Sequence, residues 1–212
     1  MLAVACKESG DLMAGGKLSA LNINNATADI LNVYQNGARL NNNSPIYPGG
    51  QTGYTSITAN STSFEVKING SANYLIGNFP VKLDTNRNYS LFIAGETADK
   101  LFITDDTHPR DSTNTVAVRF VNASPSSINF DATVDKLSFS NVVFAKPTSF
   151  QYDTVSVSKA DTILVTVYMH GSATKLKSVK MPVFINSVLT LYLQGLPTGT
   201  GADTLAIKSN VN

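Results

Sequence analysis

"SFEVKINGSA" (Ser63–Ala72) and "TILVTVYMHGSA" (Thr162–Ala173) decide the fold. In the first, Phe64, Val66 and Ile68 alternate with polar or charged residues and run into Asn69-Gly70. In the second, Ile163, Val165, Val167 and Met169 share one face before His170-Gly171. Strict alternation marks a strand with one buried face, and Asn-Gly is a strong short-range hairpin signal. Both stretches end in Gly-Ser-Ala, which suggests that they are copies of one unit.

The likeness spreads outward from these hairpins. Upstream, "LNVYQNGARL" (Leu31–Leu40) lines up with "INFDATVDKL" (Ile128–Leu137), and Asn25-Ala26 with Asn122-Ala123. Downstream, Pro80-Val81 pairs with Pro182-Val183, and "YSLFIAG" (Tyr89–Gly95) with "LTLYLQG" (Leu189–Gly195). Segments repeating in one order at this long period indicate duplicated domains, not a solenoid. Each unit has room for seven or eight short strands separated by turn signals such as Asn36-Gly37 and Pro48-Gly49-Gly50. The expectation is an all-β chain of two tandem immunoglobulin-like β-sandwich domains. Residues 1–16 read as a signal remnant and tether, 17–104 as the first sandwich, 105–114 as a linker and 115–212 as the second.

Composition supports an extracytoplasmic β protein. Only 15% of residues are charged while 42% are hydrophobic, so Asn, Ser and Thr carry the polarity. Glu occurs only at Glu8, Glu65 and Glu96, which removes a helix-favouring residue. A net charge of +1 gives no electrostatic reason for nucleic acid as a partner. No apolar run approaches the roughly 18 residues that a transmembrane helix needs. The one cysteine, Cys6, excludes an intramolecular disulfide framework and a cysteine-based zinc site.

Leu2-Ala3-Val4-Ala5-Cys6 resembles the end of a bacterial lipoprotein signal, in which small residues precede a cysteine whose thiol receives a lipid. Ala3 departs from the pattern, where leucine is usual three places before the cysteine. Lys7-Glu8-Ser9-Gly10-Asp11 and Ala14-Gly15-Gly16 are polar or small and suit a tether outside the fold. Cys6 is therefore the expected lipidation site, with an outer-membrane lipid anchor as partner and surface exposure as destination. Lys7-Glu8 matches part of the surface-export pattern of Bacteroidetes-type lipoproteins. "VRFVNASPSSINFDATVDKL" (Val118–Leu137) is similar to the opening of the tandem repeats of domain-of-unknown-function family 4397 in bacterial envelope lipoproteins. The fit lies in Val121-Asn122-Ala123-Ser124-Pro125; the first copy, Asn25-Ala26-Thr27-Ala28, lacks the Ser-Pro pair. The resemblance implies an extracytoplasmic β-sandwich and no known catalytic activity.

Little in the chain suggests catalysis. A nucleophilic triad needs a base, and the only histidines are His108 and His170. His170 stands where the other copy has Asn69, which suits turn geometry rather than catalysis. Asp105, Asp106, His108 and Asp111 crowd ligand atoms together but lack EF-hand spacing. They read as a solvated linker, and no metal or cofactor is expected. The most ligand-like surface is "YQNGARLNNNSPIYPGGQTGY" (Tyr34–Tyr54), where Tyr34, Tyr47 and Tyr54 can stack on sugars and the amides can meet hydroxyls. Asp111-Ser112-Thr113 resembles an O-glycosylation sequon of Bacteroidetes envelope proteins, with Ser112 as acceptor. The expected role is a non-enzymatic, lipid-anchored surface protein that binds a protein or glycan partner or serves as a structural module. The alternatives are a glycan-binding accessory protein of polysaccharide uptake and a filament subunit assembled by strand addition.

Overall fold

The computed structural model describes residues 17–42, 44–108, 115–154 and 161–212. Cys6 and Ser112 lie outside them. Sixteen strands are present among the described residues, with two short 3₁₀ turns and no α-helix. The first eight are β1 (Leu18–Asn25), β2 (Leu31–Gln35), β3 (Ala38–Arg39), β4 (Thr55–Thr58), β5 (Asn60–Ile68), β6 (Ile76–Leu83), β7 (Asn88–Ile93) and β8 (Leu101–Asp105). The second eight are β9 (Thr115–Asn122), β10 (Phe130–Val134), β11 (Leu137–Val142), β12 (Gln151–Thr154), β13 (Asp161–Met169), β14 (Lys175–Val183), β15 (Val188–Gln194) and β16 (Ala206–Val211).

Each set of eight forms two four-stranded sheets in the same order. Repeat 1 has β4-β1-β7-β8 and β3-β2-β5-β6; repeat 2 has β12-β9-β15-β16 and β11-β10-β13-β14. Pairing is antiparallel except between β1 and β7 and between β9 and β15. Alternation puts one face of each sheet inward. Leu21, Ile23, Val33, Phe64, Val66 and Leu91 fill the first core, and Val118, Phe120, Phe130, Val165, Val167 and Leu191 fill the second. Truncating a wholly buried phenylalanine such as Phe120 to alanine costs about 3–5 kcal/mol.

The strand pairings refine the repeat alignment. Leu31 pairs with Ile68 and Phe130 with Met169, so Leu31 corresponds to Phe130 rather than to Ile128. Pro80 pairs with Ser63, whereas Pro182 pairs with Thr162, so the two prolines are likewise two places out of step. A shift of two keeps every side chain on its face, which is why sequence alternation alone cannot detect it. The Asn-Ala motif has a structural purpose. Buried Asn25 donates to the Asp29 and Ile46 carbonyls and accepts from the Thr27 N–H. Asn122 donates to the Val142 carbonyl and accepts from the Ser124 N–H. In both repeats this amide ties the exit of the first strand to a distant loop, and Thr27 does in repeat 1 what Ser124 does in repeat 2.

A third cluster joins the repeats. Phe92, Phe102, Val121 and Tyr192 pack together on the faces of β7, β8, β9 and β15 that point away from the two cores. The Phe92 and Phe102 rings stack at 5.0 Å, and Phe92 meets Tyr192 edge-on at 5.2 Å. The central strands β7 and β15 are therefore buried on both faces.

Candidate functional site

A groove of about 360 Å³ lies on repeat 1. Its origin is a difference in loop length. In repeat 2, β11 stays paired with β10 from Leu137 to Val142, with a single bulge at Ser140-Asn141. In repeat 1, β3 stops at Arg39, and the chain swings outward before Ile46 rejoins β2 by bridging Leu31. The excursion leaves Leu40, Asn41, Asn42, Ser44 and Pro45 along one side of the groove. Asn41 pins it: its Oδ1 accepts the Val33 N–H at 2.9 Å, as a neighbouring strand's carbonyl would, and its Nδ2 donates to the Ser44 carbonyl at 2.8 Å.

The opposite side comes from the tight turn after Ile46. Gly50 donates its N–H to the Tyr47 carbonyl at 2.8 Å. A Cβ on Gly50 would meet that oxygen at 2.9 Å, so the turn admits only glycine without displacement. Gln51, Thr52 and Thr55 complete the lining. Tyr47 stands at the rim with 60% of its surface exposed. The lining holds amides, hydroxyls, one tyrosine and a few aliphatic groups, and no acidic or basic side chain. It suits an uncharged, hydroxyl-rich ligand.

The three tyrosines singled out from the sequence are not brought together. Only Tyr47 lines the groove. Tyr34 lies on the outer face of β2, edge-to-face with Tyr74 at 6.0 Å. Tyr54 is turned into the junction between the repeats, where its hydroxyl donates to Asp106 Oδ2 at 2.6 Å. Burial and the adjacent Asp106 charge both push the Tyr54 hydroxyl well above the usual tyrosine range.

The junction gathers residues whose partnership the sequence did not signal. Asp106, read as part of a solvated linker, is 1% exposed. It accepts from Ser90, Thr104 and Tyr54 and forms a buried ion pair with Arg119 of β9. Arg119 also donates to Thr190 Oγ1 and the Asp105 carbonyl, and its guanidinium lies 4.9 Å from the centre of the Phe150 ring. Asp106 escapes solvent because each lone-pair direction of its carboxylate meets a donor, which a buried charge requires. Asp105 pairs with exposed Arg87. Among the described residues no three acidic, His or Cys side chains are grouped to hold a metal ion. An arginine set inside the apolar run "VAVRFVN" (Val116–Asn122) was the available signal for this network.

Both histidines make a side-chain hydrogen bond. His108 Nε2 bonds to the Tyr152 hydroxyl at 2.7 Å, and His170 Nδ1 to Asp131 Oδ1 at 2.8 Å. The second pair occupies the place of the Asn32–Asn69 amide bond in repeat 1, 3.1 Å long. At Asp131, partial burial is outweighed by hydrogen bonds from the Asn141 and Gly171 N–H groups, His170 and Ser140, which hold its carboxyl down at about 2.

The chain matches the family model described as "Domain of unknown function (DUF4397)" over residues 19–133, more than half its length, and it belongs to that family. The match takes in β1 to β9 and ends within β10. No curated protein matches the chain. Among solved structures, it is similar to a family CBM26 module of Eubacterium rectale Amy13K, crystallised with maltoheptaose, at 9% identity over 87% of this chain and 99% of that one, with a TM-score of 0.30. A structure titled for alpha-glucan binding by a streptococcal virulence factor shares 13% identity over 82% of this chain and 92% of that one, with a TM-score of 0.28. The glycogen-degrading pneumococcal virulence factor SpuA shares 14% identity over 84% of this chain and 21% of that one, also with a TM-score of 0.28. TM-scores this low establish neither a common fold nor a common ligand.

Proposed function

We propose that this protein is a non-enzymatic glycan-binding module of the bacterial cell envelope, anchored through a lipid on Cys6 and displayed at the outer-membrane surface. The groove beside Tyr47 carries the reading: it is built by an excursion that repeat 2 lacks, and it offers amides and hydroxyls around an exposed aromatic ring without a charge. Such a surface stacks on sugar C–H faces and exchanges hydrogen bonds with hydroxyl groups. Each repeat is read as an immunoglobulin-like sandwich, residues 17–104 and 115–212, joined by 105–114. The two-sheet build and the parallel pairing of the first strand with a late one support that reading.

Assembly into a filament by strand addition finds less support. The two longest edge strands, β6 and β14, carry Pro80 and Lys82 and Lys175, Lys177, Lys180 and Pro182 respectively. Proline and lysine on an edge discourage pairing with another chain.

A glycan array followed by calorimetry on the 212-residue chain tests the reading. Binding of a neutral oligosaccharide, weakened about tenfold or more in Tyr47→Ala, is the expected result. An array with no signal above background overturns it. Metabolic labelling with a fatty-acid analogue tests the anchor. Label should be lost in Cys6→Ala, and unchanged label refutes lipidation.

A further inference from the structure

Beside the groove, the outer face of repeat 1 carries charged and aromatic groups that the neutral groove leaves unused. Val33 and Val66 point into the core, so Asn32 and Tyr34 of β2 and Glu65 and Lys67 of β5 point outward. Arg39 of β3 pairs with Tyr34 on the same face. The Lys67 ammonium lies 4.2 Å from the centre of the Tyr74 ring and 5.5 Å from that of Tyr34, and donates to the Ala72 carbonyl at 3.1 Å. These contacts hold the cation in one place. Arg39 donates to Asn32 Oδ1 at 2.6 Å, while its Nε is buried without a partner.

Among the described residues, Arg87, Lys100 and Arg119 have carboxylate partners, whereas Arg39 and Lys67, like the remaining lysines, do not. Glu65 is the one acid on this face, and its Oε2 accepts the Gly37 N–H at 3.3 Å. Repeat 2 has Thr133, Ser138, Thr166 and Tyr168 where repeat 1 has Tyr34, Arg39, Glu65 and Lys67, so the set belongs to repeat 1 alone. The face also adjoins the groove. Arg39 directly precedes Leu40 of the groove lining, and Asn41 of that lining donates to the same Asn32 oxygen at 3.1 Å.

We propose that this face binds the carboxylates of an acidic polysaccharide, one bearing uronate sugars, whose chain continues into the groove. The inference rests on the groove reading. Arg39 and Lys67 supply charge-assisted donors for ligand carboxylates, which are stronger than neutral hydrogen bonds. The exposed Tyr74 supplies apolar surface for a sugar ring.

Calorimetry on the full chain with an oligogalacturonate, and with the same oligomer fully methyl-esterified, tests this. At low salt the acid form should bind about tenfold tighter than the ester. Lys67→Gln and Arg39→Gln should each reduce that preference severalfold. Lys180→Gln, on distant β14, should change neither. Equal affinity for the two forms overturns the proposal, as does a preference that survives Lys67→Gln or falls as far in Lys180→Gln. Lys67→Gln decides alone if Arg39→Gln does not fold. If only the ester binds, the acidic-glycan inference falls and the groove reading stands; if neither binds and the array is blank, both fall.

Discussion

Directly after its last strand, repeat 1 has Asp106 and repeat 2 has Asn212. Both donate their backbone N–H to the strand before, to the Asn88 and Val188 carbonyls. Their side chains differ in what they hold. Asp106 collects Ser90, Thr104, Tyr54 and Arg119, whereas Asn212 exchanges hydrogen bonds with Thr190 and accepts a longer one from Tyr54. Arg119 in turn occupies the position that Asn22 fills in repeat 1, paired alongside the equivalent strand. The ion pair is thus made by one residue from each copy. The shared strand order has been kept while the facing surfaces became complementary, and this joins the repeats at a defined place.

Substitutions at matched positions can break this comparison. Asp106→Ala should lose about 3–5 kcal/mol in urea unfolding, because it strands Arg119 as an uncompensated buried charge. Asn212→Ala should lose only about 1 kcal/mol, the net worth of ordinary hydrogen bonds. Equal losses at the two positions would remove the asymmetry. The turns that follow Ile46 and Val142 give a second matched pair. Gly49 has φ +68 and Ala145 φ +59 at the corresponding place. Gly49→Ala should cost about 1–2 kcal/mol for the left-handed backbone, and the Gln194 amide and Lys208 stem, both 3.0 Å from the new Cβ, must also yield. Ala145→Gly should leave stability unchanged or raise it by up to about 1 kcal/mol.

The smallest effect concerns acid. The Asp131 carboxyl is held at about 2, below its unfolded value of roughly 3.9. Its contribution is present above pH 4 and is lost as pH falls through 2. Wild type should therefore lose more stability between these values than Asp131→Asn, whose repeat 1 counterpart Asn32 carries no titrating proton. Parallel acid-unfolding curves would show that the Asp131 carboxylate adds no stability over an amide at that position.

The sandwich pattern and the duplication were legible because alternation and turn residues are local. Ser63–Ala72 and Thr162–Ala173 each form a hairpin arm and its turn, and "YSLFIAG" and "LTLYLQG" align in the structure as in the sequence. The Phe92 cluster covers the second face of the continuous apolar run Leu91-Phe92-Ile93, which the repeat match alone did not bring out. The junction was less legible. Asp106 lies in a polar stretch and is buried only because Arg119, Ser90 and Tyr54, far away in sequence, converge on it. The Tyr34–Tyr54 stretch contained the groove, but burial sends Tyr54 to the junction and strand parity sends Tyr34 to the outer face, so Tyr47 alone remains at the rim.

The groove exists in repeat 1 because the path from Arg39 to Ile46 is longer than its counterpart in repeat 2. Replacing Leu40–Pro45 by Phe139–Asn141, the shorter connection of repeat 2, while checking the fold by circular dichroism, tests that origin directly. The account predicts a folded protein whose affinity for the neutral oligosaccharide falls about tenfold or more; a folded protein that binds as tightly as wild type would contradict it.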